Sequence, residues 1–321
     1  MTEKRMLVYI PDLEPHHRDA IRDAAQKKGY EVHFFEKEQE ALREAEKAEI
    51  LFTQSATLPQ HAPELRWMCT PSAGVNTFLS LEVFRSGQAM LTNSSGAYGV
   101  TIAEHVIMIT LEMLRRQMEY NEIIAKREWI RGLPVKSIKG SRVMVLGTGD
   151  LGQETARRLR AFEPESLIGM NRSGRNPETL FDEILAEPEL DQRLSETDIL
   201  IITLPDTPDT VHMLDARRLA LLPDESLIVN VGRGSVIDQK ALERELRSGR
   251  LRAALDVFET EPIPPEDSLW TCPNVLLAPH VAGNMSLPYT RDRITSLFLE
   301  DFENYCAGKP LVRRIDFSRG Y

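Results

Sequence analysis

Arg142-Val143-Met144-Val145-Leu146-Gly147-Thr148-Gly149-Asp150-Leu151-Gly152 is the stretch that decides the fold. The apolar run Arg142–Leu146 reads as a buried strand, and residues 153–161 have helical composition. Between them lies a glycine turn with the spacing GxGxxG. Glycines so spaced permit a tight turn, close backbone approach to a pyrophosphate and close packing of helix on strand. The start of the helix then offers unpaired N–H groups to the phosphates. Alone the motif is weak, but between a strand and a helix it is a dinucleotide fingerprint.

The following strand, Ser166–Met170, addresses which dinucleotide. An NAD site usually carries an acidic residue about 20 positions after the glycines, accepting from the ribose 2′-hydroxyl. Here the strand runs into Asn171-Arg172-Ser173-Gly174-Arg175. Two guanidiniums and a hydroxyl stand where a 2′-phosphate would lie, and the planar fork of Arg suits phosphate. The expectation is NADP(H), with NAD as the alternative. The competing reading is a solvated basic loop.

Working outward, the first hundred residues alternate strand and helix signals. Strands are expected at 6–10, 31–35, 50–53, 65–70 and 89–92, with helices at 17–28 and 37–48. Alternation of this kind implies a parallel α/β domain without a glycine fingerprint. A long apolar helix follows, with Thr101 as its expected cap and Glu104 reaching back as a capping box. Its stripe of Ala103, Val106, Ile107, Thr110, Leu111 and Leu114 calls for burial between domains or subunits. A polar loop with Trp129 and Pro134 leads to the fingerprint. Trp129 is expected at a core or interface.

From 142 to about 282 a second alternating set is expected, with strands at 142–146, 166–170, 198–204, 226–231, 253–257 and 274–278. A helix over 286–307 returns to the first domain. The fold class expected is therefore α/β, with two Rossmann-like doubly wound parallel-sheet domains. The substrate-binding, flavodoxin-like domain takes 1–100 and 287–321, and the dinucleotide-binding domain, 101–286, is inserted into it.

Bulk properties narrow the class. The 321 residues suffice for two domains, and the composition, 42% hydrophobic and 27% charged, is that of a globular chain. No stretch approaches the roughly 18 apolar residues of a membrane span, and no secretory signal is visible. A net charge of −10 disfavours nucleic acid and anionic membranes as partners. Cys69, Cys272 and Cys306 are far apart, suggesting neither disulfides nor zinc, and a cytoplasmic location is expected. No metal is expected, since His16 and His17 are adjacent and so project to different sides of a helix.

In an open α/β sheet, ligands bind beyond the carboxyl ends of the strands. The chemistry-bearing residues all follow strands: Pro205 to Thr210 after 199–204, Arg233 after 228–231, Glu259 and Glu261 after 253–257, and His280 after 275–278. Arg233, Glu261 and His280 are the set that hydride transfer to a 2-oxo acid requires. The carbonyl oxygen becomes an alkoxide and needs a proton, which an imidazolium can donate. A carboxylate beside the ring orients it and favours its protonated form. An Arg can bind the substrate carboxylate and polarise the carbonyl.

In these motifs the chain resembles the D-isomer-specific 2-hydroxyacid dehydrogenases. The signatures are Ser72-Ala73-Gly74-Val75, Ala103-Glu104-His105, the fingerprint 147–152, Asn230-Val231-Gly232-Arg233-Gly234, the run 255–262 and Pro279-His280-Val281-Ala282-Gly283. The segment Asn171-Arg172-Ser173 and the closing residues 315–321 most resemble the NADPH-dependent glyoxylate/hydroxypyruvate reductases.

The resemblance implies that Arg233 binds substrate, that His280 is the acid/base and that Glu261, the acid before the proline, is its partner. Asp256 would support the cofactor carboxamide. Ala73, Gly74 and Val75 would hold the substrate carboxylate through backbone N–H groups. Thr101, Pro205 and Thr210 would line the cofactor, together with Gly147, Gly149, Asp150, Leu151, Gly152, Asn171, Arg172, Ser173 and Arg175. A homodimer through the helix near Thr101 is also implied. The expected activity is NADPH-dependent reduction of a small 2-oxo acid, such as glyoxylate or hydroxypyruvate, to the D-2-hydroxy acid. The alternatives are an NAD-linked dehydrogenase of a lactate- or phosphoglycerate-like acid, or a dinucleotide-sensing scaffold like the family's corepressor branch.

Overall fold

A computed structural model describes residues 4–175 and 179–317. The chain divides into two compact units, one formed by residues 4–98 with 284–317 and the other by Gly99–Gly283. Residues 318–321 of the closing segment that carried part of the resemblance lie outside the described residues.

The first unit begins with β1 (Lys4–Tyr9), α1 (Pro15–Lys27), β2 (Tyr30–Phe34), α2 (Glu38–Glu44), β3 (Ile50–Thr53), β4 (Trp67–Cys69) and β5 (Met90–Thr92). The strands form one parallel sheet in the order β2-β1-β3-β4-β5. This is the flavodoxin-like order, whose direction reverses between β1 and β3. The strands β3 and β4 are short apolar runs, buried throughout, as in parallel sheets generally.

The second unit opens with α3 (Gly99–Leu114) and α4 (Gln117–Ala125). Then follow β6 (Arg142–Leu146), α5 (Asp150–Arg160), β7 (Ser166–Met170), β8 (Glu183–Leu185), α6 (Leu190–Leu194), β9 (Ile199–Ile202), α7 (Ala216–Leu221), β10 (Leu227–Asn230), α8 (Gln239–Arg247), β11 (Arg252–Leu255) and β12 (Val275–Leu277). Its seven parallel strands run β12-β11-β10-β9-β6-β7-β8, so the order reverses at β6 and β9. Every residue of β9, β10 and β11 is buried.

The last helix, α9 (Pro288–Cys306), belongs to the first unit. It lays Phe298 flat against Phe52, with ring centroids 4.1 Å apart, and against Trp67 at 5.3 Å. All three rings are fully buried, and Trp67 donates its indole N–H to Thr92 Oγ1 at 2.9 Å. A helix from the end of the chain thus completes a core begun by its first strands.

Several local expectations need correction. α3 starts at Gly99, so Thr101 sits inside the first turn and does not cap the helix. The earlier start follows from α5: Gly99 is pressed so closely against the Asp150 carboxylate that a Cβ would collide with it. Of the α3 stripe, Ala103, Val106, Thr110 and Leu114 are buried as expected and are joined by Ile102, Ile109 and Met113, while Ile107 and Leu111 are half-exposed. The polar segment before the fingerprint contains α4, a helix with no buried residue. β8 is a three-residue edge strand whose acidic surroundings hide it from hydrophobic periodicity.

Candidate functional site

The residues singled out from the second unit gather at the carboxyl ends of its strands. Immediately beyond β10, Asn230 organises the turn: its Oδ1 accepts from Gly232 N at 3.1 Å and its Nδ2 donates to Arg233 O at 3.0 Å. Gly234 packs directly on the Phe258 backbone, a space that no side chain could share. Arg233 donates Nη1 to its neighbour's carbonyl, Gly232 O, at 2.7 Å. Burial pulls its pKa below the ordinary value, while the nearby Asp206 and Glu261 carboxylates push it back up. An arginine remains charged under such shifts, so Arg233 is a fixed cation at this edge of the sheet.

Two carboxylates compete for His280, and their hydrogen bonds separate them. Glu259 Oε1 accepts from His212 Nε2 at 2.7 Å and from Gln239 N at 3.3 Å. Glu261 Oε1 accepts from Phe258 N at 2.9 Å, and its Oε2 lies 2.6 Å from His280 Nδ1. With Nδ1 engaged, Nε2 is the ring nitrogen left to exchange a proton. The His280 side chain is 52% exposed and Glu261 34%, so the pair is open to solvent at its outer face.

The backbone at His280 is left-handed, with φ of +53°. For a non-glycine residue this costs about 1–3 kcal/mol and persists only where the surroundings enforce it. Asp256 supplies the enforcement. Nearly sealed from solvent, it accepts from Val281 N at 2.8 Å and from Ala282 N at 3.0 Å, pinning the turn that carries His280. Burial pushes the Asp256 carboxyl above the usual range, opposed by those two N–H groups and by the fields of His105 and His280.

At the point where the strand order reverses, β6 is followed by Gly147, held at φ of +98°. Thr203, after β9, donates Oγ1 to Gly147 O at 2.9 Å. The three glycines do different work. A Cβ on Gly147 would lie 2.7 Å from Thr203 Oγ1, and one on Gly152 would collide with Gly147 O. At Gly149, which caps α5, nothing lies within 4 Å of such a Cβ. That open side beside the first N–H groups of α5 fits a dinucleotide pyrophosphate.

After β7, Asn171 builds the basic loop and does not point outward. Its Nδ2 donates to Thr148 Oγ1 at 2.6 Å and to Arg175 O at 3.0 Å, and its Oδ1 accepts from Ser173 N at 2.9 Å. Arg172, Ser173 and Arg175 are exposed. Pro205 and Thr210 form a compact turn, with Thr210 Oγ1 donating to Pro205 O at 2.7 Å. Asp206 accepts from Ser235 Oγ at 2.9 Å. Leu151 and Thr101 are half-buried in α5 and α3.

Ala73, Gly74 and Val75 belong to the first unit, in the turn beyond β4. Asn93 Nδ2 holds Ala73 O at 2.7 Å, and Val75 O accepts from Phe78 N at 2.8 Å. They too lie at the carboxyl edge of their sheet.

His16 and His17 do not diverge as their adjacency suggests. Both Nε2 atoms reach Asp292 Oδ1, at 3.1 and 2.8 Å, because they sit at the very start of α1, where both rings can swing toward α9. This is a possible metal cluster by proximity. However, His17 Nδ1 accepts from Glu14 N at 3.2 Å, which leaves the proton on Nε2 as a donor to Asp292. A second residue without an assigned role is His105, whose Nε2 lies 3.9 Å from Asp256 Oδ1. Its only signal in the sequence was membership of a family signature.

With the geometry described, comparison with known proteins identifies the family. Residues 107–282 match the family model for the D-isomer specific 2-hydroxyacid dehydrogenase, NAD binding domain. The chain belongs to this family. Its second unit is thus an NAD-binding domain, and the protein is an NAD(P)-dependent dehydrogenase. It is 32% identical over 230 residues to the glyoxylate/hydroxypyruvate reductase B of Pectobacterium atrosepticum, covering 70% of this chain and 71% of that one. Among solved structures it is similar to a D-isomer specific 2-hydroxyacid dehydrogenase family protein from Aeromonas salmonicida, with TM-score 0.87 and 29% identity over 99% of this chain and 100% of that one. It is also similar to the NADPH-dependent glyoxylate/hydroxypyruvate reductase of Sinorhizobium meliloti in complex with NADP and sulfate, with TM-score 0.81 and 28% identity over the same shares.

The glycine geometry separates two kinds of loss. Gly149→Ala is expected to weaken dinucleotide binding by about tenfold or more, the scale of one lost charge-assisted contact, with thermal stability unchanged. Gly152→Ala is expected to lower the melting temperature by several degrees and to impair binding with it. Thermal unfolding with a fluorescence titration of NAD(P)H checks both, and a stable, tightly binding Gly152→Ala protein would contradict the packing argument.

Proposed function

We propose that this dehydrogenase reduces a small 2-oxo acid, glyoxylate, hydroxypyruvate or similar, to the D-2-hydroxy acid with NADPH. The observation that carries the proposal is the 2.6 Å pairing of Glu261 with His280 Nδ1 at the same sheet edge as Arg233. Family membership and the reductases it resembles supply the substrate class.

NADPH, when bound, supplies the hydride. Gly147, Gly149 and Gly152 with the start of α5 would hold its pyrophosphate, and Arg172, Ser173 and Arg175 its 2′-phosphate. Arg233 donates to the substrate carboxylate and carbonyl oxygen, adding positive potential where the alkoxide develops. The backbone N–H groups of Gly74 and Val75 hold the substrate carboxylate in this reading. His280 gives its Nε2 proton to the carbonyl oxygen as the carbon gains hydride. Glu261 keeps the ring oriented and stabilises the imidazolium before transfer. The neutral ring then regains a proton from solvent, which its exposure permits. Asp256 holds the turn and lies ready for the cofactor carboxamide.

Subunit pairing belongs to the same proposal. The outer side of α3 presents Met108, 52% exposed, and the following segment presents Ile124, Trp129, Ile130 and Val135, with Trp129 83% exposed. That exposure removes the simple core reading of Trp129. It suits an apolar surface that a second copy would cover. The thiols of Cys69, Cys272 and Cys306 are unpaired, which suits a reducing, cytoplasmic setting. Among the described residues no helix is long and apolar enough to cross a membrane.

Initial rates with a panel of 2-oxo acids, and NADPH and NADH side by side, test the proposal. His280→Gln and Arg233→Gln should each lower kcat/KM by about 10²–10⁴ while NADPH still binds. Full activity in either would overturn the assignment. Replacing both Arg172 and Arg175 by Ala should weaken NADPH at least tenfold more than NADH, and an equal loss for both cofactors would remove the 2′-phosphate argument.

A further inference from the structure

His105 sits on α3 facing β11, with its side chain only 13% exposed. Its Nε2 is buried and has no hydrogen-bond partner, and the nearest carboxylate oxygen is Asp256 Oδ1 at 3.9 Å. That distance is too long for a hydrogen bond and short enough for an ion pair. A buried polar atom left unpaired loses its hydration without compensation, so an orphan here calls for an explanation.

Asp256 can supply one. Each of its oxygens already accepts one backbone N–H, from Val281 and Ala282. An ionised carboxylate has about four acceptor sites, so Oδ1 can take another donor without losing the first. We propose that His105 is a positioning residue for the proton donor: its Nε2 completes the set of groups that hold Asp256, and through Asp256 it fixes the turn presenting His280. The inference deepens the proposed function and rests on His280 being the proton donor.

The charged groups around Asp256 connect the two rings. Asp256 faces His105 from α3 and His280 from the turn after β12. His280 faces Glu261 as well as Asp256. Burial works against the ionised Asp256, and His105 works for it. An ionised Asp256 in turn favours the protonated imidazole that reduction needs. Removing His105 therefore takes away one of the groups around Asp256, and the surroundings of the His280 ring change with it.

The test uses His105→Phe, which removes the donor, and His105→Gln, which keeps an uncharged one. The His280 ring resonance, identified by its absence in His280→Gln, is titrated by NMR in enzyme without cofactor. The pH profile of kcat/KM for 2-oxo acid reduction is recorded alongside. In His105→Phe both the His280 midpoint and the alkaline limb of the profile should move from their wild-type positions. At neutral pH, kcat/KM should fall about tenfold with the KM for NADPH unchanged. His105→Gln should shift the midpoint in the same direction and retain more of the rate. An unmoved midpoint and limb, in whichever variant keeps the wild-type melting temperature, would overturn the inference. Full activity of His280→Gln would instead overturn the functional assignment, so the two failures are distinguishable.

Discussion

The site depends on one buried carboxylate holding one strained turn. Asp256 directly follows β11 and accepts the N–H groups of Val281 and Ala282, residues that follow a neighbouring strand. Those two bonds keep His280 in a left-handed conformation that a histidine would not choose. From there the ring meets Glu261, whose other oxygen is tied to Phe258 N. Arg233 is placed by an analogous device, the Asn230 side chain bridging its own turn. In each case a side chain at a strand end fixes the backbone of a loop, and the loop presents the reactive group.

Parallel sheets make this arrangement natural. Every strand of a unit points the same way, so every strand-to-helix turn emerges on one edge. In the second unit that edge collects the glycine turn after β6, the basic loop after β7, the Pro205–Thr210 turn after β9, Arg233 after β10, Glu261 after β11 and His280 after β12. The reversal of strand order at β6 and β9 opens room for a dinucleotide between the first two and the last four. The glycine turn and His280 thereby stand at opposite halves of one sheet.

The amino-acid sequence made much of this legible. Buried strands such as Ile199–Ile202 are uninterrupted apolar runs, and the glycines around Asp150 mark one particular turn, so the architecture could be read from local signals. Arg233, Glu261 and His280 could be read as a set because each follows a strand. What escaped lacked a local signal. β8 is short, charged and on an edge; α4 buries nothing; and the start of α3 depends on how closely Gly99 meets Asp150. The partners of Asp256 are backbone N–H groups 25 and 26 residues away, and His105 approaches Asp256 from α3, far off in the chain. His16 and His17 converge only because α9 brings Asp292 to them. Contacts of this kind belong to tertiary packing, and no spacing rule announces them.

The central claim is a direct transfer of hydride to a 2-oxo acid at the Arg233–Glu261–His280 edge, with the proton coming from the protein. Reduction of hydroxypyruvate in ordinary water with NADPH carrying deuterium in the transferred position tests it most directly. The account predicts D-glycerate with one deuterium at C2, formed in a one-to-one ratio with oxidised cofactor. A product without the label, or one of mixed handedness, would contradict it.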